Sequence, residues 1–553
     1  MHRPCSRALA APLGLVLALL PIAASSGPLA RDRDPLVLTG ADMPTLIGAP
    51  PGRIVAFRHD GGWLQIPVQV DERAVLDFGV VYDSTAIGYA VLTYTDTSTF
   101  AGADRDPGFD ADDELVLMSG DAGAAPAGAP EPPGTLPGSG VELTLHDPIL
   151  GGTAYAYLFR SDGSLSPGVG IPPVTYVFDL LSGSYKATYN TRRGPNPENS
   201  SVTTAAYAVH FADRWIRDET RVTAGAATGV DILDRHKSMF GPGQCQRTED
   251  TFSAGEGAFL VNRAGPVRAL RGYVGANSGF TTFRIHRFYA AREDLLTVLR
   301  VHPIPGVMDV FDYAPAASGM VYRNDLDPAG VTVDGAPDAV TAGAIGWEMV
   351  SGAQGTLAMT HLLDTDIAGI TYTSYYLDST SPPVTQCTGD VVAYGTSGFW
   401  RDSTIPNTDP AVFPIYNRFE VTRVIAYDAP GKDAVFAADR AVEARQPVSA
   451  TAAPYAPNVA VEAEHGEAFR LTAGPQPARG RVRLDVVLPA AGHLDLRRFD
   501  LGGRQVVTLA SGPAGAGARS FTWDAVGKPA GVYFARALFD GTQARAARVL
   551  LVR

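Results

Sequence analysis

Apolar and polar residues alternate with period two along most of this chain, and the alternating runs are short. In "RIVAFRHDGGWLQIPVQVDER" (residues 53–73) two β-forming runs flank Gly61-Gly62, the signature of a hairpin. "ELVLMS" (114–119) and "AYAYLF" (154–159) read as further strands. From about 170 to 450 the runs follow one another: "VTYVFDLL", "GFTTFRIHRFYAA", "DLLTVLRVHPI", "TLAMTHLL" and "RFEVTRVIAYD". Gly, Pro, Asn and Asp separate them, as turns require. A 3.6-residue period appears once, in "DAVFAADRAVEARQ" (433–446), which predicts a short helix. "GAAPAGAPEPPGTLPGSG" (123–140) predicts an exposed loop, and 447–464, rich in Ala and Pro, reads as a linker.

The predicted fold class is therefore all-β. A segment of nearly 300 residues with this pattern needs a large multi-stranded β-sandwich. The expected organisation is a signal peptide at 1–26, an N-terminal β domain at 34–165, a central large β-sandwich at 170–450 and a small β-sandwich at 465–553. The signal-peptide reading rests on Arg3 and Arg7 ahead of the apolar run 8–24 and the small residues "ASS" after it. No later run is long and apolar enough to predict a membrane-spanning helix.

Composition narrows the partners. With 59 Gly, 42 Pro and 19% charged residues the chain is rich in turns, and its net charge of -13 argues against a nucleic-acid partner. Of three cysteines, Cys5 falls within the signal segment. In an exported chain the remaining pair, Cys245 and Cys387, predicts one disulfide. No Cys-x-x-Cys or His-Glu-x-x-His spacing supports a zinc site.

The C-terminal 80 residues carry an ordered set of motifs: Leu488-Pro489, Gly492, Asp500-Leu501-Gly502-Gly503-Arg504, Trp523-Asp524, Gly531-Val532-Tyr533 and the terminal "RVLLVR". In order and spacing this resembles the FlgD-like immunoglobulin-type domain that serves as a type A C-terminal sorting domain in type IX secretion. Members usually open with an Asn-Pro-x-x-Pro stretch, where this chain has "GPQP". The resemblance implies an immunoglobulin-like sandwich and a secretion machinery as partner, with the protein secreted or displayed at the cell surface. Within the module, Leu494 and Leu496, then Phe499 and Leu501 after a slip at Arg497-Arg498, are expected to face the core with Phe521, Trp523 and Tyr533. In the centre, "GPVRALRGYVGANSG" followed by a hairpin loosely resembles the supersandwich of galactose-mutarotase-like and polysaccharide-lyase proteins.

Four stretches have residue types suited to chemistry. The acidic run "DRDPGFDADDE" places Asp104, Asp106, Asp110, Asp112 and Glu114 within one loop, and calcium takes six to eight such oxygens. A structural Ca2+ and a solvated acidic loop are both open readings. In "FRIHRFYAAREDLLTVLRVH" (283–302) a turn centred on Glu293 would set Arg284 opposite His302 and His286 opposite Arg300. Two guanidinium forks and two imidazoles on one face would suit an acidic sugar. A hydrated outer sheet face is the alternative. The stretch 302–319 reads as an irregular segment after Pro303 and Pro305, with Asp309, Asp312 and Tyr313 in it. Finally, a Cys245–Cys387 bridge would bring the basic run Arg235-His236-Lys237, with Glu249 and Asp250, near Tyr394, Phe399 and Trp400, as a binding rim or a stapled loop.

These stretches predict a protein whose central domain binds an extracellular acidic polysaccharide or other glycan, with cleavage as an open reading. For β-elimination, His286 or His302 is the expected base, Tyr289 or Tyr313 the acid, and Arg284 and Arg300 the carboxylate clamps. A glycoside hydrolase would use Asp309 and Asp312. A non-catalytic surface or adhesion protein would use the same domain to bind glycan or protein; Trp400 of the rim is a candidate substrate-binding residue.

Overall fold

The computed structural model describes residues 29–552 apart from 80–87, 127, 183–196, 256, 277–281, 300–302, 407–417, 458–468, 501–503 and 542. The segment 1–26, expected to be a signal peptide, therefore lies outside the described residues, as do Arg300, His302 and the Gly502-Gly503 pair. The protein is almost entirely β-structure. It forms two compact units, Met1–Pro457 and Asn458–Arg553.

At the centre of the first unit is a nine-stranded antiparallel sheet. Its order is Ala258–Ala264, Ala269–Val274, Thr282–Phe288, Arg292–Leu299, Phe419–Asp428, Gly355–Thr365, Trp347–Gly352, Val321–Asn324 and Val331–Thr332. Two four-stranded sheets accompany it. One runs Leu233–Phe240, Val307–Tyr313, Ala393–Arg401, Thr373–Ser379; the other runs Val174–Val177, Ser200–Thr204, Tyr207–Phe211, Arg217–Val222. Apolar side chains of these sheets gather in two large clusters, one around Trp215, Phe259 and Phe283, the other around Tyr207, Phe311 and Tyr427.

Two segments depart from the elements expected of them. Residues 307–313, expected to be irregular, form a central strand between Leu233–Phe240 and Ala393–Arg401. Pro303 and Pro305 lie ahead of this strand and do not enter it, and Val307, Val310 and Phe311 supply the buried positions that hold it in the sheet. Residues Ser449–Pro454, expected to be linker, pair with Val141–His146 as the edge strand of a five-stranded sheet. That sheet also contains the Ile54–His59 and Trp63–Ile66 hairpin, whose turn carries Gly61 at φ 69°. The expected helix is present as Ala434–Arg445. Asp433 caps it by accepting from Val435 and Phe436 amides, and Ala437 and Ala441 pack on Trp347 and Met349.

The second unit is a seven-stranded sandwich, with sheets Arg470–Gly474, Arg481–Leu488, Gly517–Asp524 and Gln505–Ala514, Gly492–Asp500, Gly531–Phe539, Gln543–Leu551. Trp523 and Tyr533 are buried in its core, their ring centroids 5.3 Å apart, while Phe521 packs at the core's margin. The inward alternation expected to slip continues unbroken through Leu494, Leu496 and Arg498. The bulges next to Arg497 and Arg498 are in the pairing with Gln505–Ala514, whereas pairing with Gly531–Phe539 is regular. Arg498, not Phe499, therefore takes the buried position.

Candidate functional site

The hairpin residues that sequence reasoning joined into a basic surface lie inside the protein. The chain turns at Tyr289–Arg292, where the Tyr289 amide donates to the Arg292 carbonyl at 2.8 Å. This is tighter than a turn centred on Glu293. Arg284 consequently lies opposite Thr297, and His286 opposite Leu295. The register differs from the expected one by an odd number, so even-numbered positions of Arg292–Leu299 face away from Arg284 and His286.

Neither face of this hairpin is the hydrated one. On the inner side Arg284, 1% exposed, donates to Asp309 Oδ2 at 2.6 Å, to Ser238 at 3.0 Å and to Thr297 at 3.0 Å. Asp309 also receives Arg423 and meets His236 Nε2, each at 2.5 Å. Burial alone would raise the Asp309 carboxyl, yet Arg284, Arg423 and His236 hold it far below the usual carboxylate range. His286 is held between Glu293 Oε1 at 2.8 Å and the Tyr273 hydroxyl at 3.2 Å, and burial lowers its pKa to about 4. Glu293 in turn accepts from Arg217 at 2.8 Å and from Tyr427 at 2.9 Å.

The other side is covered by the N-terminal sheets. Arg287 donates to the Tyr94 hydroxyl at 2.8 Å, and Arg268 donates to Asp71 at 2.9 Å, to Tyr289 at 3.0 Å and to Glu114 at 2.5 Å. Tyr289 and Tyr313 are each 1% exposed. Asp309 and Asp312 point to opposite faces of one strand, so they do not flank a common substrate bond. Arg284, His286, Tyr289 and Asp309 thus serve as packed ion-pair and hydrogen-bond partners in the interior.

In the acidic run the carboxylates fold back on their own backbone. Asp104 accepts from the Asp106 amide at 3.0 Å, Asp106 from Gly108 at 3.3 Å, and Asp110 from Asp112 at 3.1 Å. Glu114 turns inward, where burial would raise its carboxyl but Arg268, Arg287 and Arg73 hold it down at about 2. Among the described residues no three of these carboxylates converge. The one group of three that does is Asp234, Asp312 and Asp390, on another surface.

That surface is the outer face of the Leu233–Phe240, Val307–Tyr313, Ala393–Arg401, Thr373–Ser379 sheet. Alternation along each strand directs Lys237 and Met239, Met308 and Asp312, Thr396 and Trp400, and Tyr375 to this side. Gly398 leaves the middle of the floor open; a Cβ there would run into the Asp309 carbonyl oxygen. Two loops cover the face, one through Pro242 and Gly243, the other through Thr385 and Gln386. The Cys245–Cys387 disulfide ties them together across a sequence separation of 142.

Between floor and loops is a cavity of about 160 Å³. Trp400 and Tyr375 form one wall, their rings 5.4 Å apart at 68°; Met239 and Met308 continue the apolar surface, and Gln386 and Thr396 are among the polar groups. At one end Lys237 pairs with Asp312, whose other oxygen accepts from the Thr396 hydroxyl. Burial raises the Asp312 carboxyl to about 6, against the lowering effect of Lys237 and Thr396. The Lys237 ammonium pairs with one of these three carboxylates, Asp312. Of the rim expected from sequence, Trp400 faces the cavity, Phe399 points inward at 1% exposure, and Tyr394 packs on the inner cluster.

Tyr375, Met239, Met308 and Thr396 were missed in the sequence. Period-two alternation in 233–240 and 307–313 would have found the two methionines, had the second stretch been read as a strand.

No protein-family profile and no curated protein sequence matches the chain. Among solved structures, a polysaccharide lyase aligns over 61% of this chain at 6% identity and TM-score 0.21, and this chain spans only 44% of that protein. A putative aldose 1-epimerase from Escherichia coli K12 aligns over 46% of this chain and 100% of its own, at 9% identity and TM-score 0.24. Dimeric latent PorU from Porphyromonas gingivalis aligns over 72% of this chain and 35% of its own, at 10% identity and TM-score 0.13. None of the three is close enough in backbone to assign a function. No helix among the described residues is long and apolar enough to cross a membrane.

Proposed function

We propose that the protein is an exported, non-catalytic glycan-binding protein whose disulfide-braced cavity holds a single uncharged sugar unit. The observation that carries this reading is the Trp400–Tyr375 wall of the cavity, with Gln386 and Thr396 also lining it. Aromatic faces cover the apolar side of a sugar ring, and a few convergent polar groups fix its hydroxyls. The volume of about 160 Å³ is well under the ~300 Å³ of ordinary drug-sized pockets, which suits one ring rather than a buried oligomer.

Charge decides between neutral and acidic sugars. Lys237 is neutralised by Asp312, and Asp234 and Asp390 stand beside that pair. A uronate would meet net negative charge here. The Arg284 side chain expected to clamp it is committed to Asp309. The reading is of binding rather than cleavage: of the two expected bases, the described one, His286, is 0% exposed and held at both ring nitrogens.

Titration of the protein with neutral hexoses, amino sugars and uronates, followed by tryptophan fluorescence and calorimetry, tests this reading. Saturable binding of a neutral hexose, lost in Trp400→Ala, supports it; preferential binding of a cationic amino sugar counts against it. Tighter binding of uronates, or binding unchanged in Trp400→Ala, overturns it. The second unit, on the motifs from Leu488 to Tyr533, is proposed as the sorting module of this exported chain.

A further inference from the structure

The Lys237–Asp312 pair differs from the arginine pairs buried elsewhere in the first unit. Its side chains are 2% and 0% exposed, and they reach each other diagonally across adjacent antiparallel strands, where Lys237 lies opposite Val310 and Arg235 opposite Asp312. A lysine amine, unlike a guanidinium, becomes a good nucleophile once it loses its proton. The carboxyl it touches is polarised at its other oxygen by the Thr396 hydroxyl. Asp234 and Asp390 place carboxylate oxygens within 4.8 Å of it and of each other. Val310 and Met308 place apolar side chains beside these groups.

From this arrangement we infer that Lys237 and Asp312 join in an amide cross-link between the Leu233–Phe240 and Val307–Tyr313 strands. The ammonium passes a proton to the Asp312 carboxylate, giving neutral amine and carboxylic acid. Nζ attacks Cγ, with the developing oxyanion facing the Thr396 hydroxyl. The C–N bond forms, the C–OH bond breaks, and the proton leaving nitrogen is carried by the Asp234 carboxylate to the departing hydroxyl. The products are one amide and one water. No oxidant, metal or cofactor is consumed, and both buried charges disappear.

Three physical conditions favour this direction. Lys237 Nζ is held against Oδ2 of the carboxyl it attacks, which replaces a bimolecular encounter with a positioned one. Burial disfavours the charged forms of both groups; the Asp312 carboxyl, raised to about 6, is readily protonated. Exclusion of bulk water protects the amide from hydrolysis.

Peptide mass spectrometry of the intact chain tests the inference. After reduction and alkylation of Cys245–Cys387, trypsin should release a branched peptide joining residues 236–247 to 301–323, about 18 Da lighter than the two peptides together. Cleavage after Lys237 should be lost. Asp312→Ala should restore that cleavage and abolish the branch. Recovery of peptide 238–247 and unlinked 301–323 from the native wild-type protein, in full yield, overturns the inference. The reading is taken from wild-type protein, so it stands even where Asp312→Ala does not fold.

Discussion

Arg284 of the nine-stranded sheet and Asp309 of the sheet facing it meet at 2.6 Å in the protein interior, both almost wholly buried. Asp309 also pairs with Arg423 and His236. Its removal would leave two guanidinium groups buried without this counter-ion. Asp309→Ala should therefore destabilise the first unit by about 3–5 kcal/mol, read by urea or thermal unfolding. A loss under about 1 kcal/mol would show that the network rearranges or hydrates without cost.

Acid should weaken the same interior through its histidines. Burial lowers His286 to about 4 and His236 to about 3 in the folded protein, against about 6.5 in an unfolded chain. Both depressed groups contribute in full above pH ~6.5, where neither state is protonated. As pH falls from ~6.5 towards 4, the unfolded chain takes up protons that the folded one refuses, and stability declines. Unfolding free energy measured at steps between pH 7.5 and 4 should fall, and His286→Gln should flatten part of the slope. A profile identical in the variant would show that His286 does not contribute to it.

The bridge between Cys245 and Cys387 closes a long loop and ties down both segments that roof the cavity. The Cys245→Ser/Cys387→Ser double variant should lose about 2–4 kcal/mol of stability. Its sugar affinity should fall as well, because Pro242 and Gln386 no longer hold their relative positions. Unfolding curves and calorimetry on the double variant separate the two effects.

In the second unit, Arg498 is fully buried over the Trp523 ring and 4.9 Å from the centre of Tyr533. Among the described residues none accepts a hydrogen bond from its guanidinium, and burial lowers its pKa to about 10. Arg498→Met should leave melting of this unit unchanged or raise it, since an apolar side chain of similar length costs no charge burial. A clear loss of stability would mean that the guanidinium–indole contact outweighs desolvation.

Removal of residues 458–553 should leave the first unit folded, because the two units are separately compact. If the second unit is a sorting module, the truncated protein should accumulate in the periplasm rather than at the surface or in the medium. Fractionation and immunoblotting decide this. Unchanged distribution would leave the unit a structural appendage.

Alternation and turn residues made the strands legible. The Gly61-Gly62 hairpin, the Ala434–Arg445 helix and the Cys245–Cys387 bridge all follow from local pattern and residue type. The site was harder to read because register is a tertiary property. Arg284 and His286 share a face as alternation requires, but which strand residue faces them depends on where the turn closes, and burial depends on what covers the sheet. A polar residue in or next to a strand reads as solvent-facing, yet Arg268, just before its strand, and Arg271 and Arg284 within theirs are interior because Glu114, Glu198 and Asp309 arrive from other segments to pair with them. Trp400 was legible through the disulfide; its partner Tyr375 was not, since nothing local marks the strand that carries it.

The Ser449–Pro454 strand gives the first unit a particular order of assembly. It completes a sheet whose other strands come from residues 54–160, and nearby Arg31 donates to the Gln446 carbonyl at 2.7 Å across 415 residues. A ribosome or an export channel delivers the N-terminal strands first, with the Val141–His146 edge open. An open edge invites pairing with other chains. The protein must therefore carry an unsealed seam until nearly the whole unit has emerged, and only the arrival of its last strand closes it.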